Sequence, residues 1–216
     1  MSEVKYIAIE GPIGAGKTTL ADKLSADLNA RAVLEQFEEN PFLAQFYERP
    51  EQFAFQAQMF FLLSRYKQQL SLNELDLFHE RIVSDYTFQK DEIFARLTLS
   101  SAEFNLYRQV AESLEPNLAR PDVIVYLQND VQRLLRNIRK RGRIYERTIT
   151  ADYLQRLHEA YIQLFWSRRD LTILIVDCTH VEFVDNDRHY SLLRERILRP
   201  LEPGVHYFVA DRELFG

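Results

Sequence analysis

Short apolar runs recur along this chain at residues 6–9, 31–34, 81–84, 123–127 and 172–176. Their interiors are rich in β-branched residues and lack a polar alternation, the pattern of strands buried on both faces. The stretches between them are longer and carry helical spacing. Leu20, Leu24 and Leu28 predict a helix over residues 18–28. A second helix is predicted over 50–72, with Pro50 at its start, where the missing N–H does least harm. This helix is so apolar, through Phe53, Phe55, Met59, Phe60, Phe61, Leu62 and Leu63, that it is expected to bury more than one stripe. A third is predicted over 91–118, and the tail at 201–216 is irregular and suggests no function.

Strands alternating with helices predict an α/β fold, a five-stranded parallel sheet flanked by helices, because parallel strands need crossovers. Ligands of such sheets gather at the carboxyl ends of the strands. Chemistry is therefore sought at Glu10-Gly11, Glu35, Asp85, Gln128 and Asp177.

Composition narrows the picture further. No linker-like stretch or repeat divides the 216 residues, so residues 1–200 are expected to form one domain, with 201–216 as a tail. A net charge of -5 argues against a broad nucleic-acid-binding face. Cys178 is the only cysteine, which rules out an internal disulfide or a zinc cluster and fits a reducing cytoplasm. The apolar runs are too short to span a membrane, and the first residues lack the pattern of a secretory signal. A cytoplasmic protein is expected.

The first strand runs into Gly11-Pro12-Ile13-Gly14-Ala15-Gly16-Lys17-Thr18-Thr19, which opens the first helix. Strand, Gly-x-x-x-x-Gly-Lys-Thr, helix is the P-loop pattern. Its glycines let backbone N–H groups converge on phosphate oxygens, and the helix N-terminus faces the same anion. Lys17 brings a mobile charge to the β- and γ-phosphates of ATP, and Thr18 a hydroxyl for Mg²⁺.

Two carboxylates follow neighbouring strands. Glu35 is placed to take a proton from an attacking hydroxyl, or else is a surface acid in the stretch with Glu38 and Glu39. Asp85 is placed to hold Mg²⁺, or else caps a helix. Gln58 and Arg65 share a face of the apolar helix, two turns apart. Gln58 offers a donor and an acceptor to a base edge, on which Phe94 can stack; a structurally satisfied buried amide is the competing reading. Arg133, Arg136, Arg139, Lys140, Arg141, Arg143 and Arg147 concentrate positive charge, with Gly142 interrupting the helix. Beside a P-loop this predicts a lid over about 136–147 whose arginines close on phosphates, rather than a bare basic patch.

Together these residues resemble the deoxyribonucleoside kinase family, relatives of thymidylate kinase, from about Tyr6 to Val184. Glu35 with Glu39-Asn40-Pro41 resembles the segment bearing the catalytic base. In the similar stretch from Tyr47 to Gln58, the resemblance implies that the tyrosine contacts the sugar 3′-hydroxyl and the glutamine reads the base. It further implies that Arg65 lies near the base and 5′-hydroxyl, Asp91 joins Gln58, Phe94 stacks, and Glu146 reaches the sugar beside Tyr47. Arg141 and Arg143 become lid arginines, with Arg139 alongside on ATP.

Two departures stand out. The family carries an arginine after the acid of the third strand, whereas this chain has Tyr86, so one positive charge near the acceptor is missing. Glu80-Arg81 enters that strand instead of leaving it, so it lies at the wrong edge of the sheet. Asn137 stands where a further lid arginine is common, and Arg136 or Arg139 is the candidate to compensate. The resemblance implies an ATP- and Mg²⁺-dependent kinase acting on a small-molecule deoxynucleoside, deoxyadenosine first and deoxyguanosine or deoxycytidine next, in a homodimer. The alternatives are a nucleoside monophosphate kinase of thymidylate kinase type and a non-catalytic nucleotide-binding protein.

Overall fold

A computed structural model of the chain describes residues 3–73, 78–179 and 181–208. Six parallel strands form one sheet: β1 (Tyr6–Glu10), β2 (Arg31–Val33), β3 (Ile82–Ser84), β4 (Val123–Gln128), β5 (Thr172–Asp177) and β6 (Gly204–Phe208). Their order is β2-β3-β1-β4-β5-β6. The expected sheet had five strands. The sixth comes from the segment read as an irregular tail, where Thr172 to Val176 pair with Gly204 to Phe208. Residues 209–216 of that tail lie outside the described residues.

The helices are α1 (Lys17–Leu28), α2 (Leu43–Glu48), α3 (Pro50–Leu70), α4 (Lys90–Thr98), α5 (Ser101–Leu114), α6 (Val131–Arg141), α7 (Ala151–Ser167) and α8 (Asp187–Leu198). The single helix expected over 91–118 is two, because Ser100 starts a new one. Its side chain accepts from the Glu103 N–H while Glu103 reaches back to the Ser100 N–H.

Alternate residues of β1 feed the two faces of the sheet. Ile7 and Ile9 pack with Leu20, Leu24, Leu134, Leu193 and Ile197 on one side. Tyr6 and Ala8 pack with Ile93, Leu157, Tyr161 and Phe165 on the other. Helix α3 departs from expectation, since it buries one stripe and that stripe holds its polar residues. Gln58, Arg65 and Gln69 are buried, while Leu63 is 50% and Leu70 38% exposed. Burying polar groups costs free energy unless they find partners, so the stripe marks a site and not an ordinary core contact.

Candidate active site

The P-loop follows the buried β1 directly. Gly14 has φ +83° and Gly16 φ +90°, conformations that L side chains rarely adopt. A Cβ on Gly14 would also lie 2.8 Å from the Leu134 carbonyl oxygen of α6. Helix α1 starts at Lys17 without a side-chain cap, which leaves its first N–H groups free for an anion. The Lys17 ammonium donates to the Gly11 and Pro12 carbonyls at 2.9 and 3.1 Å. Burial first, then the neighbouring Lys90, push it down to about 8, against opposing pulls from Glu10, Glu35 and Asp85.

Asp85 caps no helix. Its carboxylate accepts from the Thr18 hydroxyl at 2.5 Å and from the Glu35 N–H at 2.8 Å. The two oxygen ligands expected for Mg²⁺ are thus adjacent, and among the described residues no larger His/Cys/Asp/Glu cluster exists. A hydroxyl and a carboxylate beside a phosphate loop fit Mg²⁺, which keeps several waters and takes its other ligands from phosphates.

Glu35 is no surface acid. It is bonded to Arg65 through Oε1 and to the Lys90 ammonium at 2.5 Å through Oε2. Burial would raise its carboxyl, but these two cations outweigh burial and hold it well below the usual carboxylate range. Arg65 also pairs with Asp91, whose side chain is 1% exposed. Two carboxylates and two cations thereby neutralise one another in a nearly dry cluster, the condition under which buried charge is tolerated.

Gln58 lies further along the same helix face. Its amide donates to the Thr98 hydroxyl at 3.3 Å, while its oxygen is buried without a protein donor. An unsatisfied buried acceptor asks for a further donor, which favours the base-edge reading of Gln58 over the structurally satisfied one.

In the arginine-rich segment expected to form a lid, α6 ends at Gly142 with φ +74°. Arg141 forks onto the buried Glu146 carboxylate at 2.6 to 3.1 Å, and Arg143 reaches the same group at 3.4 Å. Arg143 also lies over the Phe37 ring, 4.0 Å from its centroid. Tyr47 stands beside Tyr145, ring centroids 5.5 Å apart, and burial keeps its phenol neutral far above the ordinary range. Asn137 donates to the Gly14 carbonyl at 2.8 Å and ties the lid helix to the P-loop.

One cavity of about 890 Å³, including its open mouth, collects most of the predicted residues. Ile13, Lys17, Thr18, Glu35, Tyr47, Gln58, Arg65, Asp85, Asp91, Phe94, Arg141, Arg143 and Glu146 all line it. Arg139 does not; it faces a separate hollow within the lid, with Arg147. Arg81 lies at the opposite edge, donating to the Val4 carbonyl, as its place before β3 required.

Three contributors escaped sequence reasoning. Lys90 sits in a polar run, Gln89-Lys90-Asp91-Glu92, that reads as an ordinary helix start. Thr98 is a plain mid-sequence threonine. Glu10 was marked as a strand end without a role; buried, it accepts from the Thr87 N–H and hydroxyl and from the Tyr161 hydroxyl.

Comparison with known proteins gives a consistent answer. The family model described as deoxynucleoside kinase matches residues 7–201. A deoxyguanosine kinase of Bacillus subtilis (strain 168) is 37% identical over 202 residues, 91% of this chain and 98% of that protein. A deoxyadenosine kinase of Dictyostelium discoideum is 32% identical over 200 residues, 89% of this chain and 79% of that protein. The solved structure of deoxyadenosine kinase from M. mycoides with bound dCTP superposes with a TM-score of 0.76 at 26% identity, covering 89% of this chain and 98% of that one.

Proposed function

This chain belongs to the deoxynucleoside kinase family and is an ATP-dependent phosphotransferase, and we propose that it phosphorylates a deoxynucleoside with an exocyclic amine, deoxyadenosine first and deoxyguanosine or deoxycytidine next, on the 5′-hydroxyl. The observation that carries the reading is the run of groups along one cavity, from Lys17 through Glu35 to Gln58.

Glu35 takes the proton as the 5′-oxygen bonds to the γ-phosphorus and the bond from that phosphorus to the β–γ bridging oxygen breaks, releasing ADP. Each carboxylate oxygen bonded to Arg65 or Lys90 keeps a further lone pair for that proton. A carboxylate held so acidic is a weak base, which suits a loose transition state in which the hydroxyl loses its proton late. Lys17, Arg141 and Arg143 neutralise the charge on the transferring group. Mg²⁺, held by Thr18 and Asp85, would offset charge on the β- and γ-oxygens. Tyr47 and Glu146 hold the sugar, and Phe94 stacks on the base.

The unsatisfied Gln58 oxygen and the Asp91 carboxylate are both acceptors. They favour a base with an exocyclic amine over thymine, whose 4-position is itself an acceptor. Deoxyadenosine, expected from the sequence, and deoxyguanosine, named for the Bacillus relative, are the two leading acceptors. We place the reaction in the cytoplasm, where ATP and Mg²⁺ are at hand. We also propose a homodimer, supported by the exposed Leu63 and Leu70 of α3. Sedimentation at micromolar protein tests this, and a monomer there sinks it.

The deciding experiment offers ATP and Mg²⁺ with each of the four deoxynucleosides and with thymidine monophosphate. Turnover confined to thymidine monophosphate would replace the proposal with the monophosphate kinase reading. ATP consumption unaffected by any acceptor would leave only nucleotide binding. Glu35→Gln should abolish most turnover while deoxynucleoside binding persists, and retained turnover removes Glu35 as the base.

A further inference from the structure

The charge missing after Asp85 has a successor five residues along the chain. At position 86 the chain places a tyrosine whose ring is fully buried and whose hydroxyl donates to Gln68 at 2.9 Å. The Arg65 guanidinium lies 5.7 Å from that ring's centroid, so position 86 backs Arg65 and brings no charge of its own. Lys90 opens α4 one turn later. Its side chain is 7% exposed, and its ammonium meets Glu35 at 2.5 Å and lies 5.6 Å from the Phe94 ring centroid.

The segment from Asp85 to Asp91 is anchored at several points. Asp85 is held by Thr18, Thr87 by the buried Glu10, and Asp91 by Arg65, while the Lys90 N–H donates to the Thr87 carbonyl. Lys90 therefore has little freedom to leave the cavity. It lines the same cavity as a second ammonium, that of Lys17. The groups facing it are Glu35 from the loop after β2, Arg65 from α3, Lys17 from α1 and Asp91 from its own helix. Two cations facing one cavity make physical sense where anionic groups gather between them.

We propose that Lys90 is a positioning residue for phosphoryl transfer: it fixes Glu35 against the acceptor hydroxyl and supplies the positive charge that Tyr86 does not. The assignment rests on the kinase reading above.

Three variants test it, with kcat and KM measured at saturating ATP. Lys90→Met keeps the length of the side chain and removes its charge. It should lower kcat roughly 10- to 100-fold with deoxynucleoside KM within about threefold. Lys90→Arg should restore most of kcat. Lys90→Cys, aminoethylated through the open cavity that position 90 lines, restores an ammonium at nearly the same reach, and Cys178, buried away from that cavity, stays silent under that reagent. This third variant carries the test alone if Lys90→Met does not fold.

A purely structural Lys90 would instead give Met and Arg variants alike in kcat, with the loss tracking the melting temperature. Lys90→Met turnover within twofold of the parent, or no recovery on aminoethylation, overturns the proposal. If the unaltered protein phosphorylates no deoxynucleoside, the kinase reading fails first. If it does and Lys90→Met matches it, only the role of Lys90 fails.

Discussion

The Thr98 hydroxyl donates to the Phe94 carbonyl at 2.7 Å, so toward Gln58, 3.3 Å away, it can only accept. A hydroxyl has a single proton. The Gln58 NH₂ must therefore turn toward Thr98, which leaves the amide oxygen for the base. Thr98→Val removes that constraint and lets the amide rotate. The deoxynucleoside KM should rise about fivefold, the value of one hydrogen bond, with kcat nearly unchanged and discrimination against thymidine reduced. An unchanged KM ratio between deoxyadenosine and thymidine would show that Thr98 does not orient the amide.

Arg65 is the cation shared by Glu35 and Asp91. Arg65→Met leaves Glu35 with Lys90 but strands Asp91, and should cost about 3–5 kcal/mol in urea unfolding. Adding Asp91→Leu removes the stranded charge and should recover much of that loss. Activity should not return with stability, because both residues line the acceptor cavity.

Two glycines with similar backbone angles should respond differently to alanine. Gly142→Ala meets no atom within 4 Å and carries only the left-handed strain, about 1–2 kcal/mol. Gly14→Ala meets the same strain plus the Leu134 carbonyl at 2.8 Å and Ile138 at 3.0 Å. It should shift α6 from the P-loop, raise the KM for ATP and lower the melting temperature more than Gly142→Ala. Equal melting temperatures for the two variants would contradict this packing.

Several buried groups hold their protons unusually hard. Burial pushes the Tyr6 and Tyr153 phenols up from 10.0 to about 12, and the Cys178 thiol from 9.0 to about 12. Each favours the protonated folded state. Their stabilisation is complete below pH 9, starts to fall as the unfolded chain ionises, and is gone once pH passes about 12. Tyrosinate absorbance from the buried rings should thus rise together with loss of far-ultraviolet circular dichroism. Ionisation of all the tyrosines near pH 10 with the fold intact would be the contrary result.

The parts of the site that were legible in the sequence are those fixed by local chain geometry. The P-loop is spelled by glycine spacing, and Glu35 and Asp85 follow buried runs whose carboxyl ends a parallel sheet must gather. The break at Ser100 was written as Ser-x-x-Glu and passed over because the apolar pattern continues on either side. Strand β6 was missed for a different reason. It is an edge strand holding His206 and Tyr207, follows Pro203, and among the described residues has a partner on one flank only. Lys90 and Thr98 were illegible because only the packing of α4 against the loop after β2 sets Lys90 beside Glu35, and only its crossing with α3 sets Thr98 beside Gln58. Their residue types are ordinary for a helix, and topology alone turns them into parts of a site.

Strand β1 launches the P-loop, yet its hydrogen-bonding partners are β3 and β4, at Ile82–Ser84 and Val123–Gln128. The loop then leans on β4, where Gly11 leaves just enough room for the Leu127 carbonyl. As the chain is made from its N-terminus, the phosphate-binding sequence is synthesised before either strand that flanks β1 and at first has nothing to rest on. It gains shape only after β3 and β4, Ile82–Ser84 and Val123–Gln128, have been synthesised and have docked. Pairings this distant in sequence are slow to close, and the centre of the sheet depends on them.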